Sequence, residues 1–181
     1  MVIFFGPAGS GKSIQGQLLE AKNGWHWLSM GQLLRDSHDE ELSRLMQKGV
    51  LVPYTKTNEL IHDAINRFSP NCDIVIDGYP RQIEQAKWLL SNQPINGCKV
   101  DLAIILDVPR SELEKRMELR GRVDDTKDAI NERLRIYTED TAPVIDYFKN
   151  NAIKVVHING VGSVEEVHDR VYQEISKCNL I

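Results

Sequence analysis

The sequence predicts an α/β fold: three layers, with a five-stranded parallel sheet covered by helices on both faces. Two observations carry that prediction. Uninterrupted apolar runs alternate along the chain with segments of helical periodicity, and continuous apolar runs suit strands buried on both faces. The first run, Val2-Ile3-Phe4-Phe5, leads directly into Gly6-Pro7-Ala8-Gly9-Ser10-Gly11-Lys12-Ser13. The spacing G-x-x-x-x-G-K-[ST] between a strand and a helix is that of a phosphate-binding loop. Its glycines let backbone N–H groups turn inward around phosphates, its lysine reaches the terminal phosphates, and its serine hydroxyl can ligate Mg²⁺.

The elements follow in order. Ile14, Leu18 and Leu19 share one helical face after the loop, and Asn23-Gly24 closes that helix. Trp25 to Leu28 reads as a short strand. Polar helical sequence then opens at Ser29-Met30-Gly31, carries an acidic patch from Asp36 to Glu41, and stops at Gly49. Leu60, Ile61, Ala64, Ile65 and Phe68 repeat at helical spacing, so 55–68 is an amphipathic helix. Ile74-Val75-Ile76 is a buried strand ending in Asp77-Gly78, and a helix carrying Ile83, Ala86, Leu89 and Leu90 follows. Leu102 to Leu106 is the next strand, and helical sequence resumes from Arg110. Asp124-Asp125 can cap a long helix that Pro143 should kink or break. Ile153 to Ile158 is the last strand, Gly160-Val161-Gly162 a turn, and Val164, Val167, Val171 and Ile175 line a final helix.

At 181 residues the chain is one domain, 1–181, with 29–58 as a small inserted subdomain. Hydrophobic content of 41% and charged content of 27% are those of a soluble globular protein, and no apolar stretch reaches membrane-spanning length. The start of the chain lacks a basic segment before its apolar run, which argues against a signal peptide. Cys72, Cys98 and Cys178 are odd in number and widely spaced. They suggest neither a disulfide framework nor a structural zinc, and fit a reducing cytoplasm. The net charge of −4 argues against nucleic acid as a partner. Six of the eleven arginines fall between Arg110 and Arg135, which suits a focused small-molecule phosphate site.

Asp77 ends an apolar strand, where a P-loop protein places the acid that helps hold Mg²⁺, directly or through water. On a helix, Arg81 and Gln85 would share a face, pairing a phosphate-binding guanidinium with a carboxamide suited to the edge of a base.

Taken together, Gly6 to Lys12, Leu28-Ser29-Met30-Gly31-Gln32-Leu33-Leu34-Arg35, Asp77-Gly78-Tyr79-Pro80-Arg81 with Gln85-Ala86, and Arg120-Gly121-Arg122-Val123-Asp124-Asp125 with Arg133 resemble the adenylate kinase family. The order of these motifs is kept over nearly the whole chain, ending at the Asn159 to Ser163 turn. The resemblance implies a P-loop nucleoside monophosphate kinase that transfers the γ-phosphoryl group of MgATP to AMP, giving two ADP. It places the ATP phosphates on Gly9, Ser10, Gly11, Lys12, Ser13 and Ile14, with Arg116, Arg120 and Gly162 completing the ATP site. AMP falls to Arg35, Arg81 and Gln85, with Gly78, Tyr79, Pro80, Met30 and Val50-Leu51-Val52 alongside. Lys12, Arg81, Arg120, Arg122 and Arg133 are the catalytic set, and Ser13 and Asp77 the metal set. Arg44, Arg67, Arg110 and Arg135 match no motif and read as surface. A UMP/CMP kinase of the same superfamily is the alternative, and a slowly hydrolysing nucleotide switch the alternative of another class.

The chain departs from the family pattern at four places. Ser13-Ile14 stands where Gly-Thr is usual, Met30 replaces a hydroxyl residue near the AMP base, and Gln32 replaces an acid. Only Gly121 separates Arg120 from Arg122, so 120–123 is a vestigial lid connector. A missing cover implies wasteful ATP hydrolysis, or a neighbouring subunit closing the site of a chain otherwise expected to be monomeric.

Overall fold

The strands are apolar on both sides because helices cover both sides of the sheet they form. The computed structural model describes residues 1–120 and 126–180, Arg120 by its backbone alone. In chain order it runs β1 Val2–Phe5, α1 Lys12–Asn23, β2 His26–Ser29, α2 Met30–Asp36, α3 Glu40–Gln47, α4 Tyr54–Ile65 and β3 Ile74–Asp77. Then come α5 Ile83–Asn92, β4 Leu102–Asp107, α6 Arg110–Arg120, α7 Lys127–Ile136, α8 Ala142–Asn150, β5 Lys154–Asn159 and α9 Val164–Ser176. The five strands are all parallel, in the order β2-β3-β1-β4-β5. β1 is central, with Val2 opposite both Val75 and Leu102.

Side chains alternate across a strand, so each strand feeds two cores. Ile3, Phe5, Ile74, Ile76, Ala103 and Ile105 face one core, filled by α4, α5 and α8. Phe148 of α8 meets Phe5 edge-on there, at 5.5 Å between ring centroids. Val2, Phe4, Val75, Leu102, Ile104 and Leu106 face the other, where Leu19 of α1 and Val167, Val171 and Ile175 of α9 pack. Leu113, Met117 and Ile130 make a third cluster joining α6 to α7.

Three local expectations change. Ile14 does not share the buried face of α1: it is 47% exposed, and Gln15, Gly16 and Leu19 point inward instead. The second strand starts at His26, one residue later, with Trp25 buried just before it. The amphipathic helix ends at Ile65 rather than 68, its last carbonyls taken by turn N–H groups of Asn66, Arg67 and Phe68. As expected, one α-helix does not run through Pro143: α7 ends at Ile136 and α8 restarts at Ala142. A five-residue π turn, Tyr137–Thr141, joins α7 to α8, and Ala142 N–H reaches back five residues to Tyr137 O. The widened turn leads into a helix with the proline in its first turn, where no N–H is needed. The cap of α7 is Thr126, whose hydroxyl accepts from Ala129 N–H; Asp124 and Asp125 lie outside the described residues.

Gly49 sits where α3 ends against α7, at φ +74°, and a Cβ there would lie 2.8 Å from Ala129 O. Only glycine meets both conditions.

Candidate active site

The carboxyl ends of parallel strands are where such sheets bind ligands. A cavity of about 660 Å³ opens there, lined by the β1–α1 loop, the β3–α5 loop, α2, the α3–α4 segment and parts of α6 and α7.

The first wall is the glycine-rich loop. Gly11 caps α1 with no side chain of its own, and the first turn holds no acid. Such a terminus, carrying the positive end of the helix dipole, favours an anion. Lys12 Nζ donates to Gly6 O at 2.7 Å and Pro7 O at 2.9 Å, with Ser10 Oγ at 3.3 Å, so the loop's own oxygens seat the ammonium above it. Ser13 Oγ donates to Asp77 Oδ2 at 2.5 Å, and Asp77 is 4% exposed. A hydroxyl and a carboxylate side by side are hard oxygen ligands of the kind Mg²⁺ takes alongside substrate phosphates. No cluster of three or more His, Cys, Asp or Glu able to hold a metal occurs among the described residues.

The second wall is built from arginines and amides. Arg81 does not lie on a helix with Gln85; it precedes α5 in the loop after β3. The two still meet, because Gln85 turns its Oε1 back to accept the N–H of Arg81 at 2.6 Å and of Gln82 at 3.1 Å. Arg81 Nε donates to Gly78 O at 3.0 Å. Burial lowers the pKa of the Arg81 guanidinium, Asp77 opposes that shift, and Arg133 adds to it. A phosphate placed there would offset both the burial and the neighbouring cation. Tyr79 keeps its ring in the cavity wall while its hydroxyl, 2.8 Å from Asn58 Oδ1 and 3.3 Å from Gln85 O, is buried between α4 and α5. That burial pushes the phenol pKa far up.

The remaining expected residues are distributed around these walls. Arg35 is exposed on α2 and donates to Gln32 Oε1 at 2.9 Å; Gln32 does not line the cavity and donates in turn to Asp36. Met30 is 3% exposed and lines the cavity with Val50, Leu51 and Val52. Arg116 donates to Glu112 at 2.8 Å and to Gly160 O at 3.1 Å, tying α6 to the turn that carries Gly162. Arg133 reaches from α7 to Met46 O of α3 at 3.3 Å. Gly9, Ser10, Gly11, Ile14, Gly78 and Pro80 also line the cavity. The Arg120 side chain and residues 121–123 of the connector, Arg122 among them, lie outside what the structure describes.

Three buried polar residues at the cavity escape motif reasoning, Gln15 (2% exposed), Thr57 (3%) and Thr141 (5%). Thr57 falls on the apolar stripe of α4, four residues before Ile61, and a hydroxyl on such a stripe is the sequence signal of a buried polar contact. Thr141 gave no comparable signal, because only the π turn aims it inward.

A P-loop and several guanidinium groups lining one cavity define a phosphotransferase acting between two phosphorylated ligands. Comparison with known proteins agrees. The family model described as adenylate kinase matches residues 4–153. Similar proteins named adenylate kinase come from Mycobacteroides abscessus at 33% identity, Mycobacterium tuberculosis at 34% and Nocardia farcinica at 35%. Each match spans 182 aligned positions, 97% of this chain and 99% of the relative, which leaves no room for a long lid present in them and missing here. The chain belongs to the adenylate kinase family, and it is a nucleoside monophosphate kinase making ADP from ATP and AMP.

Proposed function

We propose that the two nucleotides enter this one cavity from opposite ends and meet between Lys12 and Arg81. The ATP phosphates rest on the backbone N–H groups from Gly9 to Ile14 with Lys12 over the terminal ones, and the ATP base lies toward Arg116 and Gly162. The AMP phosphate is held by Arg35 and Arg81 and its base lies toward Gln85, Met30 and Val50–Val52, so that 29–58 serves as the acceptor subdomain. Arg133, with Arg120 and Arg122, surrounds the phosphoryl group in flight. Ser13 and Asp77 would hold Mg²⁺, which when bound neutralises phosphate charge.

The observation supporting this reading is that Lys12, after β1, and Arg81, after β3, line the same cavity although 69 positions separate them in sequence. The chemistry then asks little of acid–base groups. The acceptor oxygen belongs to a phosphate whose second pKa is about 6, so it is already ionised at neutral pH. What opposes reaction is repulsion between two polyanions, and converging cations in a site with little water counter it.

Lys12→Met and Arg81→Ala test the reading separately. Each is expected to lower ADP formation by roughly 10²–10³-fold. Undiminished turnover in both variants would overturn it. A panel of AMP, CMP, UMP and GMP tests the acceptor, and a switch protein would phosphorylate none of them. The reading also makes the chain a cytoplasmic enzyme working without nucleic acid, as a monomer unless a second subunit covers the site.

A further inference from the structure

We infer that Thr57 is a positioning residue that makes the Gln85 carboxamide a pure hydrogen-bond donor toward the acceptor base, and so sets which bases the site takes. The inference rests on the reading that places that base at Gln85.

The hydrogen-bond inventory on the two side chains is nearly closed. Thr57 Oγ1 donates its only proton to Tyr54 O at 2.9 Å, one turn back along α4. Toward Gln85 it can therefore only accept, and Gln85 Nε2 donates to it at 2.8 Å. On the other side of the carboxamide, Oε1 accepts from the N–H groups of both Arg81 and Gln82, which fills its two lone pairs. Gln85 is 3% exposed, so water cannot replace any of these partners cheaply. One Nε2 hydrogen is left over. No acceptor for it occurs among the described residues, and Gln85 lines the cavity.

That remaining hydrogen is all the side chain can offer a ligand. Adenine presents an unprotonated ring nitrogen, N1, on its Watson–Crick edge, and cytosine presents N3. Guanine N1 and uracil N3 carry protons, so each would set a donor against a donor in a buried site. Met30, which also lines the cavity, brings a thioether rather than a hydroxyl and supplies no competing donor. Discrimination falls on the one N–H that Thr57 holds in place. Removing the Thr57 acceptor leaves the buried second hydrogen unpaired, and the carboxamide rotates or shifts to pair it elsewhere, spoiling its aim at the base.

The test uses two acceptors that differ at one atom: AMP and 1-deaza-AMP, in which N1 is replaced by C–H. Wild-type protein should prefer AMP by about tenfold in kcat/KM, the worth of one neutral hydrogen bond. Thr57→Val should reduce that preference to about twofold or less, with KM for ATP unchanged. Thr57→Ser, which keeps the hydroxyl, should restore it, and Thr57→Ala, which adds no bulk, should repeat the loss. If Thr57 were only structural, both acceptors would suffer alike and the preference would stay at its wild-type value in the Val and Ala variants. That result overturns the inference while leaving the placement of the base intact. A wild-type enzyme indifferent to N1 would overturn the placement itself, and the inference with it.

Discussion

Ser13 Oγ donates to Asp77 Oδ2 at 2.5 Å, joining the first turn of α1 to the last residue of β3. The contact spans 64 positions of sequence and exists because β1 and β3 are parallel neighbours, with Phe4 opposite Asp77. It sets a hydroxyl and a carboxylate side by side at the glycine-rich loop, the pair proposed above to hold Mg²⁺. Asp77→Asn removes the charge and keeps the shape. The free Mg²⁺ needed for half-maximal ADP formation should rise about 10–100-fold, with the circular dichroism spectrum unchanged. An unaltered Mg²⁺ dependence would remove Asp77 from the metal set.

Thr141 donates to the Arg81 carbonyl at 3.3 Å from the π turn, so the backbone on either side of the guanidinium is anchored, by Thr141 on one group and Gln85 on another. Thr141→Val should raise KM for AMP about 3–10-fold through looser placement of Arg81. KM for ATP, measured at saturating AMP, should not move.

His168 is 4% exposed and faces Gln15, whose Oε1 lies 3.2 Å from its Nδ1 while Gln15 Nε2 donates to Val164 O. Burial lowers the His168 pKa below the ordinary 6.5, Lys22 adds to the shift and Asp169 opposes it. Because the unfolded chain binds the proton more readily, the stability from neutral His168 is present above pH 6.5 and lost as pH falls below it. The Tm of wild-type protein should therefore drop between about pH 7 and about pH 5 more steeply than that of His168→Gln. Parallel curves would contradict this.

Gly49→Ala forces a side chain into φ +74° and against Ala129 O. The variant should lose roughly 1–3 kcal/mol of stability, read from the denaturant midpoint at unchanged m.

The short connector at 120–123 makes the last prediction. If that connector leaves ATP uncovered, the protein should release phosphate from ATP at a measurable rate without AMP, and AMP should suppress that release. A strictly AMP-dependent, monomeric enzyme would show that the site is closed by other means.

Residue spacing was enough to mark the strands and most of the helices between them. Apolar runs marked all five strands to within a residue or two, and Gly6 to Gly11 marked the glycine-rich turn between β1 and α1, because these depend on backbone geometry that a few neighbouring residues impose. The strand order β2-β3-β1-β4-β5, the exposure of Ile14, the π turn that accommodates Pro143 and the meeting of Thr57 with Gln85 were decided only in three dimensions. Each of these depends on how buried helix faces settle against the sheet. Polar side chains sealed in that packing must find partners wherever the chain brings them, which for Thr57 and Gln85 is 28 residues apart and for Thr141 and Arg81 is 60.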